Sequence, residues 1–329
     1  MNNASTTTDL VVYIGVDVAS RDCHAVFEGR KPRCFGLSAE GAGALCAWVR
    51  QTHPAAELCA VMEHTGVYSL AWYFLLQAQG IRCALCHASK IHHFAKADGQ
   101  RSKTDKADAK AILSYALHYR PEPTTLAPRA QRQVALLLKQ RDNIIEMRVA
   151  LQNQFTALSF LPEDLALVEE LFSKLLAGLA QAEADLATKI EAVISQDVRL
   201  REAYQIVRQL QGVGPVSGST FCSMLDKILD CNPKELTALC GLAPAHKQSG
   251  NSQKPSHIDK QGRAQTRRNL YLAGLAASKY NPKCIEIKQR LEARGKPRKV
   301  IIVAIARNLL LQTQKALKAH FLSTAPTAC

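Results

Sequence analysis

The chain has 329 residues, 47% of them hydrophobic, and carries 42 Lys and Arg against 28 Asp and Glu, a net charge of +14. That length allows two or three compact units, and that apolar content excludes a wholly disordered chain. Runs of about 18 uninterrupted apolar residues are missing, so no membrane span is indicated. The polar stretch Met1 to Asp9 lacks a signal-peptide pattern, so a cytoplasmic protein with reduced thiols is expected.

Charge is unevenly placed. Residues 1–200 carry 21 basic and 21 acidic side chains, whereas residues 201–329 carry 21 basic and 7 acidic. A neutral part joined to a basic part suggests that one does chemistry while the other grips a polyanion. Nucleic acid is favoured over an anionic membrane, because the cations are spread through a folded-looking region and do not form a basic tail.

From the N-terminus, residues 11–120 read as an α/β unit. Residues 11–19 (VVYIGVDVA), 23–29 and 32–38 read as three successive strands, with Gly29 and Pro32 marking the last turn. A helix is expected over 39–52, a strand over 57–66, a helix over 67–80 closed by Gly80, and a strand over 81–87. Strands in a row followed by alternating strands and helices mean a mixed sheet covered by helices. The eleven cysteines do not change this reading. Cys23, Cys34, Cys59, Cys83, Cys86, Cys222 and Cys240 lie in or beside apolar runs and read as small packed hydrophobes. The Cys83–Cys86 pair has no second pair at zinc-ribbon spacing, so structural zinc is not expected.

Residues 130–209 hold long Leu/Ile/Val/Ala repeats nearly free of Gly and Pro, and read as two antiparallel helices separated near Ser159 and Pro162. Beyond them, Gly212-Val213-Gly214-Pro215 separates two helical patterns, and residues 231–244 read as a short helix. Residues 245–266 form a polar segment that is long for a loop; such loops are functional or disordered. Helices are expected at 267–279 and 297–319.

Four carboxylates stand out. Asp17 follows the apolar run of the first strand, and Glu63 stands in the same relation to the fourth. Asp105 and Asp108, three residues apart in KTDKADAKAIL, share one face if a helix includes both. Two strand-end carboxylates with a helical pair form the arrangement by which an RNase H-like fold holds two Mg²⁺ ions for phosphoryl transfer, with Mn²⁺ as an alternative. Each acid alone has a plainer reading as a turn or cap residue; their joint order is the stronger signal. Lys103, beside the pair, either meets phosphate or stays solvated.

With these motifs assembled, YIGVD, EHTGVY, GQRSKTDKADAKAIL, LQGVGPVSGST and CGLAPAHKQSGNS together resemble the IS-one-ten family of insertion-sequence transposases, which includes the Piv-type DNA invertases. The resemblance implies an α/β plus all-α chain in three parts. These are a RuvC-like catalytic domain over 1–125, a helical coiled-coil dimerisation arm over 126–205 and a basic transposase domain over 206–329. It implies a metal-binding tetrad of Asp17, Glu63, Asp105 and Asp108, and a nucleophilic serine at Ser249 of the Ser249-Gly250 pair, with Ser252 and Ser256 as competitors. It also implies DNA as substrate, a structured guide (bridge) RNA, and a homodimer or homotetramer.

Gly212 and Gly214 resemble a helix-hairpin-helix that offers backbone N–H groups to phosphate, with a plain tight turn as the alternative. Arg263, Arg267, Arg268, Lys296, Arg298 and Lys299 are further candidate nucleic-acid contacts. Two other functions fit the same residues. One is a Holliday-junction-type endonuclease that uses water and the carboxylates; the other is a non-catalytic nucleic-acid-binding protein on a decayed RNase H-like fold.

Overall fold

The computed structural model describes residues 11–98, 104–158, 160–161, 165–245, 248–249, 252–253, 257–258 and 262–323. The chain divides into two compact units, Met1–Leu126 and Ala127–Cys329.

The first unit is built on a mixed sheet. Strands β1 (Val11–Val18), β2 (Asp22–Phe27) and β3 (Arg33–Gly36) follow one another, and then α1 (Ala39–Arg50), β4 (Glu57–Glu63), α2 (Val67–Ala78), β5 (Arg82–Cys86), α3 (Ala88–Ala97) and α4 (Asp105–Tyr119). The strand order is β3-β2-β1-β4-β5. The first three strands pair antiparallel, whereas β1–β4 and β4–β5 are parallel. Tight turns suffice for the former; the latter need the helical crossovers that α1 and α2 supply.

Side chains on a strand alternate between faces, which sorts the sheet into two sides. Val12, Ile14, Val16, Leu58, Ala60 and Met62 pack with Leu45 and Trp48 of α1 and with Trp72 and Leu76 of α2. On the other side Cys59, Val61, Ala84 and Cys86 pack with Ile91 of α3 and Ile112, Tyr115 and Ala116 of α4. Cys83 lies in the first cluster and Cys86 in the second, so the C-x-x-C faces two different cores. Of the seven cysteines expected to be packed, Cys34 is exposed. It stands on β3, the edge strand of the sheet.

After α4, Arg120 turns the chain in a left-handed conformation (φ 44°). The segment that follows then lies along β5. The Thr124 N–H donates to the Cys83 carbonyl at 2.8 Å, and its hydroxyl accepts from the Leu85 N–H at 2.8 Å. The Tyr73 hydroxyl donates to the Thr124 carbonyl at 2.7 Å, which ties this cover to α2. A sheet edge that would otherwise expose unpaired backbone groups is partly satisfied in this way.

The second unit opens with α5 (Arg129–Leu158) and α6 (Ala166–Gln196). Arg141 pairs with Glu183 at 2.6 Å, and Phe155 stacks on Phe172 at 5.4 Å. The partners' numbers run in opposite directions, so the two helices form an antiparallel hairpin. Ser159 and Pro162, which mark the break in the sequence, lie outside the described residues. Next come α7 (Val198–Arg208), α8 (Pro215–Cys222), α9 (Leu225–Asp230) and α10 (Pro233–Leu239). Four two-residue strands follow: β6 (Pro244–Ala245), β7 (Gln248–Ser249), β8 (Ser252–Gln253) and β9 (His257–Ile258). The chain continues in α11 (Ala264–Tyr280), α12 (Pro282–Glu292) and α13 (Arg298–Ser323).

One core joins Val134 and Leu138 of α5, Ile190 and Ile194 of α6, Phe221, Leu236, Leu270, Ile305 and Leu309. Among the described residues α13 alone is long and apolar enough to cross a membrane, and half of its most apolar window is buried within the protein. A helix apolar on most sides belongs in a core when neighbours cover it, and here the buried face of α13 joins that common core.

The structure adds to the sequence reading in two ways. The described parts of 245–266 form antiparallel ladders, β6 with β9 and β7 with β8, in place of an irregular loop. Helices α3, α9 and α12 had no clear sequence signal. α3, for instance, is capped by His87, whose ring accepts from the Ser89 N–H, and His is not among the usual capping residues.

Candidate functional site: a carboxylate cluster and a basic helical surface

The cluster is assembled by the sheet and one helix. In the parallel β1–β4 ladder the last pair is Val16 with Met62, so Asp17 and Glu63 stand side by side one residue further on. Alternation turns both toward the face that α4 covers, since Cys59 and Val61 on that face pack against α4. The chain leaves β4 through a turn held by the His64 N–H bond to the Cys86 carbonyl (2.8 Å) and by Gly66 at φ 109°. Thr104 caps α4, its hydroxyl accepting from the Ala107 N–H at 3.2 Å, so Asp105 and Asp108 both lie in the first helical turn. The cap belongs to Thr104, and Asp105 is thereby free of that role.

Gly15 brings helix and strand together. A Cβ at Gly15 would stand 2.4 Å from the Ala109 carbonyl oxygen and 2.5 Å from the Leu113 nitrogen. Any side chain there pushes α4 away from the sheet, and with it the pair in its first turn.

Electrostatics record the result. Asp17 is raised from 3.8 to about 6, first by burial and then by the charges of Asp108, Asp105 and Glu63; His24 opposes the shift. Like charges gathered in a half-buried place favour the protonated acid unless a cation offsets them. Four carboxylates make a donor set of hard oxygens, which fits Mg²⁺ or Mn²⁺ and not a thiophilic metal. His24, opposite Asp17 on β2, puts its Nδ1 3.9 Å from Asp105 Oδ2. Gly15 and His24 are participants that motif reading missed. An alternation count would have put His24 on the Asp17 face only once the β1–β2 register was known.

The other candidates lie in the second unit or outside the described residues. Ser249 pairs in register with Ser252 across the β7–β8 ladder, so two of the three candidate serines are backbone partners on adjacent strands. Ser256, Gly250 and Lys103 lie outside the described residues. Gly212 has φ 98°, and a Cβ on it would meet the Ala277 Cα and Cβ at 2.5 Å. Its lack of a side chain is therefore explained by close packing on α11. Gly214 is the N-cap of α8, with open space around its Cβ position.

Arg267, Arg268 and Lys299 come together on the wall of one cavity of about 1160 Å³, with Tyr271, Arg290 and Arg307. Pro244 of β6 and Ile258 of β9 also line it, so the ladder at the base of the serine segment forms part of its rim. Arg268 has structural partners too: Glu146 Oε1 at 3.1 Å and Asp142 Oδ1 at 3.9 Å. Arg263, Lys296 and Arg298 are exposed and outside this cavity.

Similarity to known proteins agrees with both halves. Residues 14–159 match a family described as "Transposase", and residues 204–318 match "Transposase IS116/IS110/IS902 family". The chain is 28% identical over 313 residues to the "Pilin gene-inverting protein" of Moraxella bovis, covering 91% of this chain and 93% of that one. The protein of the same description from Moraxella lacunata is also 28% identical over 313 residues, with the same coverage. The "Transposase for insertion sequence element IS1111A" of Coxiella burnetii is 25% identical over 281 residues, 75% of this chain and 74% of its own. With transposase matches over both its sheet unit and its helical C-terminal region, the chain belongs to the IS110 (IS-one-ten) family of transposases.

Proposed function

We propose that this transposase cuts and rejoins DNA strands through a serine-linked intermediate, in the manner of an insertion-sequence recombinase or DNA invertase. The observation that carries the reading is the placement of Asp17 beside Glu63 at the end of the parallel ladder and near Asp105 and Asp108 of α4, with Asp17 raised to about 6 by burial and by the charges of those three acids. In this reading Asp17, Glu63, Asp105 and Asp108 would hold Mg²⁺, two ions per site, which supplies charge neutralisation and Lewis acidity at the scissile phosphate.

The chain's own part is nucleophilic. Ser249 Oγ attacks phosphorus, its proton passes to a base, and the phosphorus–oxygen bond to the departing sugar breaks as that oxygen takes up a proton. The phosphoserine ester keeps the bond energy, so attack by a second strand end reverses the step without ATP. Arg263, Arg267, Lys296, Arg298 and Lys299 would hold phosphates, as would Arg268 and Lys103 and the backbone at Gly212 and Gly214. The domain division that goes with this reading is a RuvC-like part over 1–125, a coiled-coil arm over 126–205 that joins two or four copies, and a DNA-handling part over 206–329. Similarity to the family supports a guide RNA as a further partner, and a cationic surface suits RNA and DNA alike.

The test uses the full chain with element DNA and Mg²⁺, with and without RNA from the element's non-coding end. Wild type should give protein covalently joined to DNA, and Ser249→Ala should give none. Asp105→Asn should lose strand cleavage by about a thousandfold, matching several kcal/mol of lost charge stabilisation, while DNA binding stays measurable. Rejoining by Ser249→Ala at the wild-type rate rules out this serine. Cleavage without any adduct assigns the attack to water, as in a junction endonuclease.

A further inference from the structure

Beside the carboxylate cluster lies a second group of ligating side chains with different chemistry. Asp22 and His24 are two residues apart on β2 and so share a face. Cys34 of β3 is the register partner of His24. That face is the one α4 covers, since Val26, two residues beyond His24, packs on Ala109 and Leu113. One carboxylate oxygen, one imidazole nitrogen and one sulfur from these residues all lie within 4.8 Å of one another. Asp22 and His24 are half-buried in the strand, whereas Cys34 is exposed on the edge. Two ligands are therefore held by the sheet, and the third stands where an ion can enter.

We propose that Asp22, His24 and Cys34 form a site for a borderline-soft divalent cation of the zinc class, distinct from the all-oxygen carboxylate site. An O, N, S set suits Zn²⁺, whereas Mg²⁺ prefers oxygen throughout. Three protein ligands leave a fourth tetrahedral position open to water or another donor. The ladder settles the neighbourhood: Cys34, His24 and Asp17 stand in one row across β3, β2 and β1. His24 Nδ1 also lies 3.9 Å from Asp105 Oδ2, so an ion bound here places its charge next to the carboxylates and competes with Asp105 for the imidazole. The thiol gives up its proton on binding, so affinity rises with pH.

Cobalt is the optical probe, added to the full-length chain in a thiol-free reducing buffer. Wild type should show a thiolate-to-metal charge-transfer band that saturates at one Co²⁺ per chain, and excess Mg²⁺, which competes for the carboxylate site, should leave that band in place. Cys34→Ser should abolish it, and both Cys34→Ser and Asp22→Asn should weaken Co²⁺ and Zn²⁺ binding by more than about a hundredfold, the upper range for loss of an outer-sphere partner. Exposure of Cys34 favours an intact fold in the serine variant, and its far-ultraviolet circular dichroism should match wild type. Glu63→Gln should keep the band, which separates this site from the carboxylate one even if the cleavage mechanism proposed above is wrong. A wild type without the band, a band unchanged in Cys34→Ser, or displacement by Mg²⁺ each overturns the proposal.

Discussion

The two units handle charge in opposite ways. Asp17, Glu63, Asp105 and Asp108 are concentrated at one end of a sheet, and burial together with the charges of the other three raises the proton affinity of Asp17. The basic residues of the second unit are spread: Arg263, Lys296, Arg298 and Lys299 are exposed, and Arg268 is already paired with Glu146 and Asp142. A concentrated set of like charges is costly without a counter-ion, so a change at one of them alters the balance felt by the others. Dispersed exposed cations each contribute a little, and their sum is tuned by salt. Substitutions should therefore be drastic in the first unit and graded in the second.

Gly15→Val tests this contrast most severely. Its side chain has no room against the Ala109 and Leu113 backbone, so about 1–3 kcal/mol of stability should be lost along with strand cleavage. Urea denaturation and a cleavage assay on the same preparation measure both. A variant that cleaves like wild type shows that the seating of α4 does not govern the cluster.

A smaller effect should appear in the pH dependence of the chelator-treated protein. Asp17 is raised from 3.8 to about 6 in the folded chain, so its contribution to stability is fully present below the lower value and lost as pH rises through the upper. After allowance for solvent screening, metal-free wild type should lose about 1–2 kcal/mol between these limits. Asp17→Asn should be flatter with pH and more stable than metal-free wild type at neutrality, and Mg²⁺ should stabilise wild type more than the variant. Parallel pH curves for the two proteins would remove Asp17 as the seat of the strain.

Least dramatic is Lys299→Gln. DNA affinity should fall a few-fold regardless of sequence, and the slope of log affinity against log salt should lessen by about one. Arg268→Gln should show the same binding change and also lower stability, because Asp142, 3% exposed, loses a cation beside it. Fluorescence anisotropy over a salt series and thermal denaturation separate the two. Equal stability of the two variants would mean that the Arg268 ion pairs contribute nothing to the fold.

Much of the first unit was legible in the sequence because its signals are local. Apolar runs marked β1 and β4, and the spacing of Asp105 and Asp108 put both in one turn once a helix includes them; that Thr104 and not Asp105 is the cap was decided by the structure. Shared motifs pointed to the family that similarity then showed. The Gly212 signal was visible as well, but its cause is packing on Ala277, 65 positions further along and out of reach of any local rule.

Local patterning by itself determined the five strands of the sheet and most of the long helices, where the acids stand along them, and that the excess of cations collects beyond residue 200. Tertiary structure decided what those acids meet. Only the order β3-β2-β1-β4-β5 makes Asp17 a neighbour of Glu63, and only the β2–β3 register sets Cys34 opposite His24. Hydrogen-bond register between separate strands is chosen by how whole faces bury together, and a shift of one residue would send each side chain to the other face. The sheet's packing therefore brings Asp17 and Glu63, far apart in sequence, to neighbouring strand ends, where the charges of Asp105 and Asp108 also reach Asp17.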